Sequence, residues 1–416
     1  MSDRTDRTDR TPHRLDPAGA RRHEDDAGLR AQGAAVPVVL PGGVPAVAVT
    51  RHEELKEFLA DPDVAKDACH FTALREGVIP DGWPLTIFAT LEGMTTADGA
   101  DHRRLRGVVT KVLTPARIEG LRPRVERLTA ELLDGLGAAA GASGVVDLRR
   151  HFAVPLPVSV IGELLGVPPA MRGELRRFSY TMARTTLTPE ESAAANRGMA
   201  EALGRLAALR RAEPGDDLTS ALVAAHDEDG TALDDCELTD TLLTLVVAGH
   251  ETTLALITNA VRALCTHPDQ LELVRSGKAG WADVVEETLR YDAPVGLFPF
   301  RYPLRDLPVG GTVVPRGTPV LAAYASAGRD ERAYGPDADR FDVTRRPANR
   351  LLSFGHGAHY CIGAQLARLE ATVALEALFA RHPDLALAVP DRELPRLSSF
   401  ISNSTEVLPV RIFAPR

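Results

Sequence analysis

The sequence predicts a mainly α, α+β protein, on three observations. From about residue 101 to 265, Ala, Leu, Arg and Glu abound, and apolar residues recur at three- and four-residue spacing, the mark of amphipathic helices. Within that region, residues 237 to 265 run without proline and are apolar in the middle, with Asp234 and Glu237 placed to form a capping box at the start. After residue 291 the pattern changes. Pro and Gly become frequent, and short β-type runs such as "GTVV" and "TPVLAAY" appear. Helices first, with small sheets near the ends, give the α+β class.

Taken in order, residues 1 to 28 read as a charged tail with a short DRT repeat, expected to be disordered, which leaves 29 to 416 as a single domain. "AVPVVLPGGVPAVAVT" reads as two strands around a Pro-Gly-Gly turn, and a helix follows near residues 51 to 60. The stretch from 63 to 100 is irregular, punctuated by Pro80, Gly82, Trp83 and Pro84; loops this long are uncommon and often functional. A polar break, "AHDEDGTALDD", separates the earlier helices from the longest one. Such a long helix, so apolar in its middle, belongs in the centre of the protein. A further helix is expected over about 362 to 381, with strand-like runs to the C-terminus.

Bulk properties narrow the function. The chain has 416 residues and a formal net charge of −9, which speaks against nucleic acid as the main partner. Basic residues are nearly all Arg; Lys occurs only at Lys56, Lys66, Lys111 and Lys278, which we read as coding bias. The four cysteines, Cys69, Cys236, Cys265 and Cys361, form no C-x-x-C pair, so neither a zinc knuckle nor a disulfide framework is signalled. No apolar run approaches the roughly 18 residues of a membrane span, and the start of the chain has no apolar signal core. A cytoplasmic protein without a membrane anchor is the expectation.

Four constellations carry chemistry. The long helix holds "AGHETT", Ala248 to Thr253. Gly249 costs about 1 kcal/mol there relative to Ala. Glu251 and Thr252 put an acid and an alcohol in an apolar stretch, where polar groups need partners. His250-Glu251 starts the metalloprotease pattern H-E-x-x-H, but Leu254 stands where the second His must be, so that reading fails. "EETLRY" places Glu287 and Arg290 at i, i+3, facing each other on a helix. "DHRRLRGVV" puts His102 and Arg106 on one helical face, and "FPFRYPLRD" sets Arg301 among aromatics; together these suit the clamping of anionic groups such as carboxylates. Finally, "FGHGAHYCIGAQLA" crowds glycines and histidines around Cys361 just before a helix, where spare N–H groups favour a thiolate. On these residues alone Cys361 is a ligand, a nucleophile or packing, though a nucleophile needs a base and an orienting group that the loop does not supply.

The loop resembles the haem-binding signature F-G-x-G-x-H-x-C-x-G of the cytochrome P450 superfamily, matched by Phe354, Gly355, Gly357, His359, Cys361 and Gly363. "AGHETT" is similar to that family's oxygen-activating motif, Glu287-x-x-Arg290 to its E-x-x-R, and "DADRFD" to the segment whose Arg, here Arg340, completes a network with that pair. Order and spacing agree from about residue 35 to the end. "GADHRRLR" and "YASAGRD" resemble a soluble actinomycete subgroup that acts on steroids and macrolides, although Gly328 stands where many of its members have Asn, and Leu351 where many have His.

The resemblance implies a triangular, mostly helical prism with haem b between the long helix and the cysteine loop. It makes Cys361 the proximal iron ligand, and places Phe354, Gly355, Ala248 and Gly249 against the porphyrin. It assigns His102, Arg106, Arg301 and His359 to the haem propionates. Thr252 would bond the iron-bound oxygen and Glu251 would help relay protons, while Glu287, Arg290 and Arg340 would be structural. A substrate pocket would draw on Ile87, Phe88, Val247, Val295, Leu297 and Ile401, in a region that also takes in Trp83 and Phe300. The implied activity is monooxygenation of a medium-sized hydrophobic metabolite, such as a steroid, macrolide or polyketide, in secondary metabolism. Electrons would come from NAD(P)H through a separate ferredoxin and ferredoxin reductase, since the sequence carries no flavin, nicotinamide or ferredoxin motif. Two other readings stand beside it: the same haem chemistry diverted to coupling, desaturation or ring formation, and a haem-binding sensor without turnover, against which the Glu251-Thr252 pair argues.

Overall fold

The computed structural model describes residues 12–80, 82–229, 233–346 and 351–413. We number its helices of nine residues or more: α1 Arg22–Gln32, α2 His52–Ala60, α3 Gly99–Val112, α4 Arg122–Ala140, α5 Pro155–Leu164, α6 Pro169–Met182, α7 Pro189–Ala212, α8 Leu218–Asp229, α9 Asp235–Thr266, α10 Trp281–Tyr291 and α11 Ala364–Arg381. The expected long helix is α9, and its capping box is present: Asp234 Oδ1 accepts the Glu237 N–H at 2.8 Å, while Glu237 Oε2 accepts the Asp234 N–H at 3.0 Å.

At 1.5 Å per residue α9 is about 48 Å long. Helices α5, α6, α7, α10 and α11 all pack against it, so most of its length is enclosed. By length and composition it could cross a membrane, yet 72% of its most apolar window is buried inside this fold. That makes it a core helix. Leu242, Leu254, Ile257, Val261 and Leu264 along it are at most 1% exposed. Each such side chain contributes about 1.5–3 kcal/mol by leaving water.

The sheets sit at the edges. One has six strands in the order β1-β2-β3-β9-β6-β4, from β1 His13–Arg14, β2 Ala35–Val39, β3 Pro45–Val49, β4 Val64–Ala65, β6 Leu297–Pro303 and β9 Val320–Ala323. The expected hairpin is β2–β3, in antiparallel register from Ala35↔Val49 to Val39↔Pro45 around the Pro41–Gly43 turn. Strands β5 Val145–Asp147, β10 Ala386–Leu387 and β11 Pro409–Arg411 form a second sheet, and β7 Leu307–Val309 with β8 Thr312–Val314 a third.

One sequence expectation fails here. Residues 13 to 28 are built into the domain: β1 pairs with Val38 and Val39, and α1 begins at Arg22. The Arg22 guanidinium, 9% exposed, donates to the carbonyls of Phe400 (2.7 Å), Ser399 (2.6 Å) and Ser402 (3.1 Å). Composition marked this stretch as solvated because its charges have no local partners; their partners lie near the other end of the chain. Residues 1–11, the rest of the expected tail, lie outside the described residues.

Candidate active site

A cavity lies between the middle of α9 and the loop before α11. Cys361 is on one wall and Ala248, Gly249 and Thr252 on the other. The cysteine loop is closed by two backbone bonds, Gly355 N–H to Leu352 O (2.7 Å) and Cys361 N–H to Phe354 O (2.8 Å). Gly357 has φ +74°, and a Cβ there would meet the Leu59 carbonyl at 2.8 Å, so this glycine serves the turn and its seat on the end of α2. Phe354 lines the cavity under the Arg368 guanidinium, 4.5 Å above its ring.

The Cys361 sulfur is exposed to the cavity yet deep in the fold. Burial pushes its thiol pKa up, while the backbone N–H groups of Gly363 and Ala364 and the guanidiniums of Arg106 and Arg368 pull it down. Burial wins here, so the thiolate needs a cation beside it, as a coordinated metal would be.

On the opposite wall the Thr252 hydroxyl donates to the Ala248 carbonyl one turn back, at 2.6 Å. A Cβ on Gly249 would stand 2.9 Å from Ile161 Cδ1, so a side chain here would have to displace the tip of Ile161 on α5. Glu251, 5% exposed, turns away from the cavity. Among the described residues both its carboxyl oxygens lack hydrogen-bond partners, with Arg149 Nη2 4.0 Å and His250 Nε2 3.4 Å away. Burial raises its pKa to about 7 against the opposing pull of Arg149. His250 is held neutral, its pKa lowered to about 3 by burial and by Arg149, and its Nδ1 lies 2.9 Å from the Ser179 hydroxyl. Orphaned buried polar atoms are uncommon away from functional sites.

The cavity rim is cationic. His102 and His359 stack with ring centroids 4.1 Å apart, and both are pushed toward the neutral form by burial, His359 to about 4. His102 Nε2 is buried without a hydrogen-bond partner among the described residues. Arg106 donates to the Tyr360 carbonyl at 2.7 Å. Arg301, 5% exposed, is bonded to the Tyr324 hydroxyl. All four residues assigned to carboxylates from the sequence therefore meet here. The unpartnered ring nitrogen of His102, the cationic rim, the space between helix and loop, and a sulfur on its wall all fit a haem.

Glu287 and Arg290, both 0% exposed, form a bidentate pair with N···O distances of 2.7 and 2.8 Å. Arg290 also donates to the carbonyls of Gly328 (2.8 Å), Ala338 (2.6 Å) and Arg340 (2.7 Å). The third member of the network is corrected. The Arg340 residue is exposed and contributes only that carbonyl. It is Arg345 whose guanidinium approaches Glu287, at 3.7 Å, tied down by Asp337 at 3.0 Å.

The expected pocket is also corrected. Val295 lines the cavity, joined by Met94, Ile161, Leu164, Leu245 and Phe298. Ile87, Phe88, Val247, Leu297 and Ile401 do not. Leu297 and Ile401 are buried in the apolar cluster of the six-stranded sheet, with Phe88 packed against them, and Val247 faces the helical core. Trp83, 3% exposed, stacks on Phe300 at 5.6 Å and donates to the Pro41 carbonyl at 2.8 Å, so it is structural.

The sequence reading also did not place Lys66, Tyr324 and Glu370 at the cavity. Glu370, 1% exposed on α11, keeps its carboxyl well above the ordinary range through burial. Its signal was available, an acid on the apolar face of "AQLARLEATVAL". Lys66 stood out as one of four lysines in an Arg-rich chain, but nothing local tied it to a site.

The cytochrome P450 family profile matches residues 282–383. A 2-hydroxy-5-methyl-1-naphthoate 7-hydroxylase from Streptomyces carzinostaticus is 40% identical over 403 residues, 96% of this chain and 97% of that protein. The 6-deoxyerythronolide B hydroxylase of Saccharopolyspora erythraea is 40% identical over 372 residues, 88% and 89% of the two chains. Among solved structures, CYP154C4 from Streptomyces sp. W2061 superposes with a TM-score of 0.94 at 43% identity, covering 98% of this chain and 99% of that one.

Proposed function

The chain belongs to the cytochrome P450 family, and on that premise we propose that it is a haem-thiolate monooxygenase that hydroxylates a medium-sized apolar metabolite, with Cys361 as the residue that would hold the haem iron. One observation carries the reading: a single cavity has the Cys361 sulfur on one wall, the Thr252 hydroxyl on the other, and apolar side chains between. When bound, the haem supplies dioxygen activation, and a thiolate ligand favours O–O cleavage.

The protein's own contribution follows from its geometry. Cys361 presents the sulfur at the end of a closed loop, where the N–H groups of Gly363 and Ala364 hold it. His102, Arg106, Arg301 and His359 would hold the cofactor's carboxylates, and Phe354, Gly355, Ala248 and Gly249, which line the cavity, would lie against it. Thr252 holds a hydroxyl at the cavity surface, able to pass or accept a proton. Glu251, with a pKa of about 7, is half ionised near neutrality and so suited to take up and release a proton beside the cavity-lining turn that carries Thr252. Glu287 and Arg290 pin the segment before the cysteine loop.

Apolar walls select the substrate by shape, with few polar contacts. The relatives act on a fused-ring naphthoate and on 6-deoxyerythronolide B. We assign this chain to a steroid, macrolide or polyketide scaffold in secondary metabolism, working in the cytoplasm with electrons from a ferredoxin and its reductase. The test is spectroscopic. Reduced protein under carbon monoxide should show the long-wavelength Soret band of thiolate-ligated haem, and Cys361→His should abolish it. Survival of the band in the variant refutes the ligand assignment. A spectral-shift screen of steroids, macrolactones and aromatic polyketides then identifies the substrate class; binding by none of them refutes that class.

A further inference from the structure

Beside Glu251 lies a buried histidine with no part in holding the haem. His250 is 2% exposed, and its Nδ1 lies 2.9 Å from the hydroxyl of Ser179 on α6, itself 0% exposed. The ring also bonds the Val246 carbonyl one turn back. A carbonyl only accepts, so a ring N–H points at it. Nδ1 is the nitrogen nearer the backbone and the one that reaches such a carbonyl, as His267 Nδ1 does to Ala263 O at 2.8 Å. A neutral imidazole has a single N–H. With the proton on Nδ1, Nε2 is a bare acceptor, and it faces Glu251 Oε1 at 3.4 Å.

The ring stays neutral because burial, Arg149 and Arg176 all oppose its charge. A carboxylate cannot bond a bare imidazole nitrogen, since both are acceptors; a carboxylic acid can, through its O–H. The ionised acid has a different neighbour. Arg149, 7% exposed in the turn Arg149–Ala153 ahead of α5, holds Nη2 4.0 Å from Glu251 Oε2. Its Nε and Nη2 have no hydrogen-bond partner among the described residues, and its guanidinium rests 5.4 Å from the centre of the Tyr180 ring on α6. Arg149 and Arg176 are the charged groups acting on the pair, and Arg172 lines the narrow cleft between α5, α6 and α9 that reaches His250. Each gap to Glu251 is slightly longer than a hydrogen bond, and a small turn of the carboxyl closes it.

We propose that Glu251 has two docks, one for each protonation state: the protonated carboxyl donates to His250 Nε2, and the ionised carboxylate turns to Arg149. His250 is then a positioning residue that keeps the acid loaded with a proton, while Ser179 and the Val246 carbonyl hold its ring in the tautomer that does so. When Glu251 gives up its proton, the O–H bond breaks, Nε2 loses its donor and the carboxylate pairs with Arg149. A proton from water restores the first state. The inference rests on the proton-relay reading of Glu251.

Infrared spectra of the ferric holoprotein, titrated with acid, test it. The carbonyl band of protonated Glu251 is the one missing from Glu251→Gln. His250→Phe keeps a ring and loses the acceptor. There the band should move to the higher frequency of an acid without a hydrogen bond, and proton binding should weaken about tenfold, as for one lost hydrogen bond. Arg149→Met should leave the band in place and strengthen proton binding. Peroxide release against pH should follow the shifted midpoint in each variant. A band that stays put in His250→Phe overturns the proposal. Wild-type protein with nitrogen-15 histidine, in its ferrous carbon monoxide form, gives a check that needs no variant: the His250 proton should sit on Nδ1, and a proton on Nε2 overturns the proposal. If no Glu251-dependent band appears at any pH, the carboxyl never carries a proton, and it is the relay reading that fails.

Discussion

Replacing Glu251 by Gln removes a buried ionisable group with little change of shape, and its effect on stability should depend on pH. Burial holds the carboxyl at a pKa of about 7, against 4.5 for an ordinary Glu, despite the pull of Arg149. At about 1.4 kcal/mol per unit, the shift corresponds to about 3 kcal/mol. The sign follows from linkage. Between those two values the folded protein binds a proton that the unfolded chain does not, so stability falls as pH rises from about 4.5 to about 7. Below that window the group costs nothing; above it the full cost is present. Glutamine carries no such cost. Urea unfolding of haem-saturated wild type and Glu251→Gln, followed by far-UV circular dichroism across that range, should show the variant gaining up to about 3 kcal/mol relative to wild type as pH rises. All other titrating groups cancel in the comparison. A stability difference that stays flat with pH would refute the claim that Glu251 titrates near neutrality, and with it the proton-relay role.

Other expectations follow from the same geometry. Thr252→Ala should raise hydrogen peroxide release per reductant consumed while leaving substrate affinity near wild type; unchanged coupling argues against a proton role for its hydroxyl. Arg345→Met should lower stability by about 1–3 kcal/mol because it strips a charge from buried Glu287, whereas Arg340→Met should stay within about 0.5 kcal/mol; equal losses in thermal melts would restore Arg340 to the network. Gly328→Asn should destabilise by about 3 kcal/mol, since a Cβ there would lie 2.1 Å from the Arg290 carbonyl oxygen, a backbone atom that cannot yield. An unchanged melting temperature would contradict that packing.

Much of the site was legible because its parts are local. The Asp234–Glu237 box, the i, i+3 pairing of Glu287 with Arg290, and the i, i+4 placement of His102 and Arg106 follow from helix geometry, and each occurs in the structure. The cysteine loop was legible for the same reason: its glycines and the helix start after Cys361 lie within a few residues of the sulfur.

What escaped depends on where distant segments cross. Composition could not show that Arg22 is satisfied by carbonyls near residue 400. Spacing could not prefer Arg345 over Arg340, because both stand in one irregular stretch and only its path past α10 decides which guanidinium reaches Glu287. The turn to Val295 kept its place in the pocket, while Ile401 and Leu297 were drawn into the sheet's own apolar cluster. From the sequence alone came the fold class, the glycine-rich cysteine loop and the acid–alcohol pair, written in short-range patterns that helix and loop geometry dictate, while the role of the cysteine and the set of carboxylate anchors came from the family resemblance. The tertiary structure alone decided which cations share one cavity, how deeply Glu251 is buried and which apolar residues face the cavity, because burial and charge balance are set by segments that meet only when the chain is folded.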